Sequence, residues 1–173
     1  HVFFYFIKLC NLKELYINVM KTMQDWLDAY AVSHQNKTNK AIHFICVPLI
    51  VFSVVGLIMS IPNELLKELS GIKSDTLANW AVVALVPIMF FYVRLSLKMG
   101  ILILAFFSLC VFGNAQLAAV FSLWQISLGI FVVAWIGQFY GHKLEGAKPS
   151  FVDDLKFLLI GPAWILDDIF FKK

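Results

Sequence analysis

The chain has 173 residues, 61% of them hydrophobic and 14% charged, with a mean hydropathy of +0.82. Soluble domains are about half apolar and about a quarter charged, so this composition excludes an ordinary soluble protein and specifies an integral membrane protein. A net charge of +3 makes no case for a nucleic-acid partner, and three scattered cysteines (Cys10, Cys46 and Cys110) form neither a disulfide framework nor a C-x-x-C motif.

Residues 1–19 lack the basic, apolar and small-residue order of a signal peptide. Met20-Lys-Thr-Met looks like a natural start, so this stretch reads as a non-native extension or as a short interfacial helix, and residues 20–173 read as one membrane domain. Residues 24–33 alternate polar and apolar side chains as a surface helix does. A polar knot, His34-Gln-Asn-Lys-Thr-Asn-Lys40, follows, in which Asn36 or Thr38 can cap the next helix. Residues 41–61 are apolar and uncharged, long enough for a membrane span, and Pro62 stops them. Residues 63–79 form a mixed-charge connection with a short helix over 64–69 ended by Gly71.

Apolar stretches at 80–93 and 100–112 flank Arg94-Leu-Ser-Leu-Lys98. Both are short for a span, which tilt or a snorkelling Arg94 offsets. Gly113-Asn114-Ala115-Gln116 reads as a break, and residues 117–139 form the longest apolar run. The tail, 151–173, is apolar but carries Asp153, Asp154, Asp167 and Asp168 and is interrupted by Gly161-Pro162, which suits a kinked interfacial or re-entrant helix. The fold class is therefore all-α: an integral membrane helical bundle of about four transmembrane helices with amphipathic N- and C-terminal helices. With four spans and cytoplasmic termini, all of the 14 Lys and Arg except Lys67 and Lys73 fall on the cytoplasmic side.

The same topology brings His34, His43 and His142 to one membrane face. An ionisable side chain at the end of a span is costly to place idly and reads as a functional-site candidate. Asn39 precedes His43 by four residues, and Gln138, His142 and Glu145 share an arc of roughly 60° on one helix face. Neutral imidazoles suit a transition metal, with carboxylate or amide oxygens completing or orienting the site. Taken singly, His43 reads equally as a core histidine bonded to Asn39, and His142 as an interfacial residue. Glu145 reads as a ligand, as an orienter of His142, or as a partner for Lys148, the second ranking first. Asp153 and Asp154 read as helix caps, while Asp167 and Asp168 stand evenly between an interfacial and a site role. Arg94 is an anchor or a partner for a carboxylate head group. A metal enzyme, an inert membrane scaffold and a proton relay all remain open at this level. The scarcity of polar residues within 47–59 and 126–134 counts against the relay.

Two motifs carry a resemblance. His34-Gln-Asn-Lys-Thr-Asn39-Lys-Ala-Ile-His43-Phe-Ile-Cys-Val-Pro48 and Gln138-Phe-Tyr-Gly141-His142-Lys-Leu-Glu145-Gly-Ala-Lys-Pro149 are similar to the paired signatures of the Mpo-like family of small membrane proteins. Asp153-Asp154-Leu and Gly161-Pro162 also fit, so the resemblance spans about residues 26–170. It implies an Fe(II)-dependent dioxygenase that shortens long-chain 2-hydroxy fatty acids by one carbon and releases carbon dioxide. It further implies His34, His43 and His142 as iron ligands; beside them, the spacing makes Asn39, Gln138 and Glu145 supporting residues, with Glu145 counted with the catalytic group. The membrane would be the inner membrane of a bacterium or the endoplasmic reticulum of a eukaryote. No glycine-rich nucleotide motif points to NAD or flavin.

Overall fold

A computed structural model describes residues 21–32, 34–146 and 158–171. The N-terminal stretch 1–19, Lys148, Pro149, Asp153 and Asp154 lie outside the described residues. Among those described there are seven helices and no strand: α1 Met23–Val32, α2 Lys37–Met59, α3 Glu64–Ser70, α4 Trp80–Leu95, α5 Leu97–Ala118, α6 Leu123–Glu145 and α7 Ile160–Phe170. Helices α2, α5 and α6 are long and apolar enough to cross a membrane, and α4 is apolar but has 16 residues. At 1.5 Å per residue α4 covers about 24 Å, short of a hydrocarbon core of about 30 Å. Large apolar side chains face outward along these helices, among them Phe90, Leu109 and Val133, each about 70% exposed. A surface of that kind suits lipid, and the chain is a helical membrane protein.

Helices α2, α4 and α5 begin where the sequence supplies a side-chain cap. Asn36 accepts from the amides of Thr38 and Asn39 to start α2, and Asn79 accepts from Val82 to start α4. Ser96 alone separates α4 from α5. Its amide donates to Tyr92 O, closing one helix, while its hydroxyl oxygen accepts from the Met99 amide, opening the next. Gly71 ends α3 in the left-handed conformation, φ 70°, which glycine adopts without a Cβ penalty. Between α3 and α4, Asn63 bridges Asp75 and the Ala78 carbonyl, and Lys67 pairs with Asp75. The Lys67 and Asn63 contacts hold the Asp75 carboxyl below its ordinary pKa.

Two expectations change. The anticipated break at residues 113–116 is absent, because α5 continues to Ala118. Asn114 is fully buried, and its amide nitrogen donates to Cys110 O one turn back and to Phe52 O of α2. A residue with turn chemistry here ties two helices together. Likewise, Gly161-Pro162 does not interrupt α7 but occupies its first turn, where a proline's missing N–H costs nothing. The half of α7 from Ile160 to Ile165 is buried against the bundle.

Helices α2 and α6 run antiparallel as the most intimate pair. Gly137 and Gly141, a small-x-x-x-small stripe, let α6 approach α2 closely. A Cβ on Gly137 would lie 2.6 Å from Cys46 Sγ, and one on Gly141 would overlap Asn39 Oδ1. Replacing Gly141 with Leu is therefore expected to destabilise the protein by about 1–3 kcal/mol through overpacking. Gly129→Leu, on the same helix with nothing within 4 Å of its added Cβ, is expected to cause no loss. Denaturant titration followed by far-UV circular dichroism compares the two.

At one end of the bundle, α1 and α7 close over the long helices. Leu27 and Tyr30 of α1, Tyr92 of α4, Met99 and Ile103 of α5 and Trp164 of α7 form one buried cluster with Val47 of α2. Among the described cations, Lys21, Lys37, Lys40, Arg94, Lys98 and Lys143 belong to this end of the helices, and Lys67 and Lys73 to the other.

Candidate metal centre

His43 lies in the second turn of α2, His142 in the last turn of α6, and His34 in the link between α1 and α2. Their relative exposures are 1%, 6% and 3%, and one nitrogen from each lies within 4.8 Å of the other two. Two imidazole nitrogens bound to one ion at about 2.1 Å stand at most about 4.2 Å apart. A side-chain shift of a fraction of an ångström would thus let all three share an ion. The rings are mutually inclined, with centroid separations of 4.2 Å for His34–His43, 5.0 Å for His43–His142 and 5.6 Å for His34–His142.

Two of the rings have their tautomer dictated by the backbone. His34 Nδ1 is 2.7 Å from Tyr30 O, and His43 Nδ1 is 3.0 Å from Asn39 O, each one helical turn back. A carbonyl only accepts, so Nδ1 carries the hydrogen and Nε2 of the neutral ring keeps its lone pair. An imidazole held in this way has a fixed orientation and a more basic second nitrogen, which is how proteins prepare histidine for a metal. Tyr30 also stacks on His34 at 4.1 Å with 12° between the planes, and Trp164 packs 5.6 Å from the same ring. The donor set therefore fits a divalent transition metal.

Glu145 sits where the helix it ends meets the helix it does not belong to. Its carboxylate accepts from the amides of Gln35 (2.7 Å) and Asn36 (3.0 Å) and from Asn39 Nδ2 (2.8 Å). A carboxylate at the exposed amides of a helix N-terminus is favoured by both hydrogen bonding and the helix dipole. It thereby fixes the link bearing His34 and the residue whose carbonyl holds His43. These contacts tie the segment that carries His34 and precedes His43 to the helix that carries His142. No aspartate or glutamate among the described residues joins the histidine group. Asp167 and Asp168 are half-buried on α7, and Arg94 is exposed at the end of α4.

Gln138, one turn before His142, is buried, and its Oε1 has no hydrogen-bond partner among the described residues. It lines a small cavity of about 20 Å³ together with Tyr30, His43, His142 and Leu158. That is room for a water-sized molecule beside a polar atom in need of a partner. Sequence reasoning passed over Tyr30 and Trp164. Tyr30 carries a signal, its four-residue spacing from His34, whereas Trp164 reaches the site only through the fold.

Fold and site together define a helical membrane protein with a buried three-histidine cluster at the cation-rich end of its bundle. The chain belongs to the family described as 2-hydroxy-palmitic acid dioxygenase Mpo1-like, which matches residues 20–173. It is 30% identical over 155 residues to the 2-hydroxy-palmitic acid dioxygenase MPO1 of Saccharomyces cerevisiae, covering 87% of this chain and 80% of the yeast protein. No solved structure matches the chain.

Proposed function

We propose that the protein is an Fe(II)-dependent dioxygenase that converts a long-chain 2-hydroxy fatty acid into the acid one carbon shorter. The observation that carries this reading is the convergence of His34, His43 and His142 with Nδ1 of two rings anchored to backbone carbonyls. The name of the yeast relative supports the substrate class. In balanced form, the 2-hydroxy acid and dioxygen give the shortened acid, carbon dioxide and water. All four electrons that reduce dioxygen come from the substrate, so the reaction needs no nicotinamide or flavin.

His34, His43 and His142 would hold the iron, which when bound supplies open positions for a hydroxy-carboxylate chelate and for dioxygen. The chain's own residues do the rest. Tyr30 O and Asn39 O keep two rings in the binding tautomer, and Glu145 locks the segment that carries them. Gln138 offers a buried amide to whatever enters the cavity beside His43 and His142. Trp164 and Tyr30 shield His34 from water. Oxygen uptake by the iron-loaded protein, with mass spectrometry of the product, tests the reading. Hydroxy acids left untouched by a folded, iron-loaded protein would leave a membrane scaffold in its place.

The same reading makes residues 20–173 one domain with four spans, α2, α4, α5 and α6, and puts both termini and the histidines on the cytoplasmic side. The cation asymmetry between the bundle ends supports it. Lys67→Cys and Lys143→Cys are expected to react with an impermeant thiol reagent from opposite sides of the membrane. Labelling of both from one side refutes this arrangement.

A further inference from the structure

A second cavity, of about 90 Å³, lies deeper in the bundle among α2, α4, α5 and the start of α7. Its lining includes Val51 and Ile58 of α2, Ala84 and Tyr92 of α4, Phe107 of α5, and Leu158. All lining groups are hydrocarbon or aromatic except the Tyr92 hydroxyl, which donates to Leu159 O. Leu158 also lines the small cavity beside His43 and His142, so the polar and the apolar cavity share that residue in their walls. Along α2, Ile58 stands about 22 Å from His43 at the helical rise, which is the reach of a long extended acyl chain.

We propose that this apolar cavity marks the track taken by the alkyl chain of a 2-hydroxy fatty acid whose head group lies at the histidines, its half-buried walls parting to admit the chain, and that Ile58 and Ala84 at its far end set the longest chain accommodated. The inference rests on the substrate class proposed above. A head group at the histidines directs its tail past Leu158, and the residues beyond offer only carbon surface. Each methylene buried there is worth about fourfold in affinity until the far end is reached.

The test is equilibrium binding of a homologous series of saturated 2-hydroxy acids to the full chain in nanodiscs without added metal, by displacement of a fluorescent fatty acid. Affinity is expected to climb about fourfold per methylene and then level off. Ala84→Phe is expected to level off several methylenes earlier while binding short acids as the parent does, and Leu158→Trp to weaken every chain. Ile58→Trp serves where Ala84→Phe fails to fold by circular dichroism. An acid bearing a terminal diazirine is expected to label peptides containing Ile58, Ala84 or Phe107. Chain-length profiles that coincide for the parent and the folded far-end variant, or labelling confined to lipid-facing residues such as Phe90 and Leu109, overturn the proposal. Oxygen uptake on a short soluble 2-hydroxy acid, which needs no apolar cavity, separates the two readings. Its absence alongside a shifted chain-length limit rejects the dioxygenase and keeps the cavity. Its presence with an unshifted limit does the reverse.

Discussion

His142→Ala is expected to yield a folded protein that retains almost no iron and shows no turnover. The substitution removes a ring and leaves alanine, the best helix former, in the last turn of α6, so the backbone has no reason to unwind. What it takes away is one of three nitrogens that lie within 4.8 Å of one another. Loss of a direct ligand should cost more than the roughly 10–100-fold attached to outer-shell changes. Elemental analysis of the purified protein and oxygen consumption read the two consequences separately. A His142→Ala protein that keeps the parent's iron content excludes this residue from the metal site. His34→Ala and His43→Ala are expected to behave alike, and agreement among the three would argue for a single shared ion.

Glu145→Gln is expected to lower iron affinity by about 10–100-fold while the fold survives. The amide keeps one oxygen for the donors at the start of α2, but it no longer presents two charged oxygens to Gln35, Asn36 and Asn39. Glu145→Ala is expected to go further. It leaves the buried Asn39 amide without its partner and frees the link that carries His34, at a stability cost of about 1 kcal/mol. That figure is at the low end for a lost acceptor, because Gln35 and Asn36 are exposed and water can replace their bonds. The ordering Glu > Gln > Ala in iron affinity, from competition with a coloured chelator, is the measurement. A direct ligand would instead group Gln with Ala, both losing the metal together.

The limits of the sequence reading follow from what is local and what is not. Helix α2, its cap at Asn36 and the end of α3 at Gly71 were legible because apolar length, capping chemistry and a glycine stop act within a few residues. The grouping of the three histidines was legible too, since a four-span topology with one cation-rich side leaves them little choice of face. Asn114 misled because an asparagine beside a glycine has the same composition whether it turns the chain or ties Phe52 O to α5. For Glu145 the sequence shows its spacing from His142, which places both on one helix face; that its oxygens also accept from Gln35 and Asn36 just before α2 and from Asn39 within it, more than 100 positions away, no local pattern announces. Trp164 and Leu158 carry no pattern that announces them, and they reach the site only because α7 folds back under the bundle.

The pairing of α2 with α6 has a consequence for biogenesis. His43 enters the bilayer on the first long helix to leave the ribosome and His142 on the last, with three helices between them. A nascent chain that stops short of α6 can hold two of the imidazoles but never the third, and it also lacks the carboxylate that clamps the first turn of α2. Neither the cluster nor its clamp can be assembled from a truncated product. Convergence of all three rings would therefore report that α6 has been made and has paired with α2.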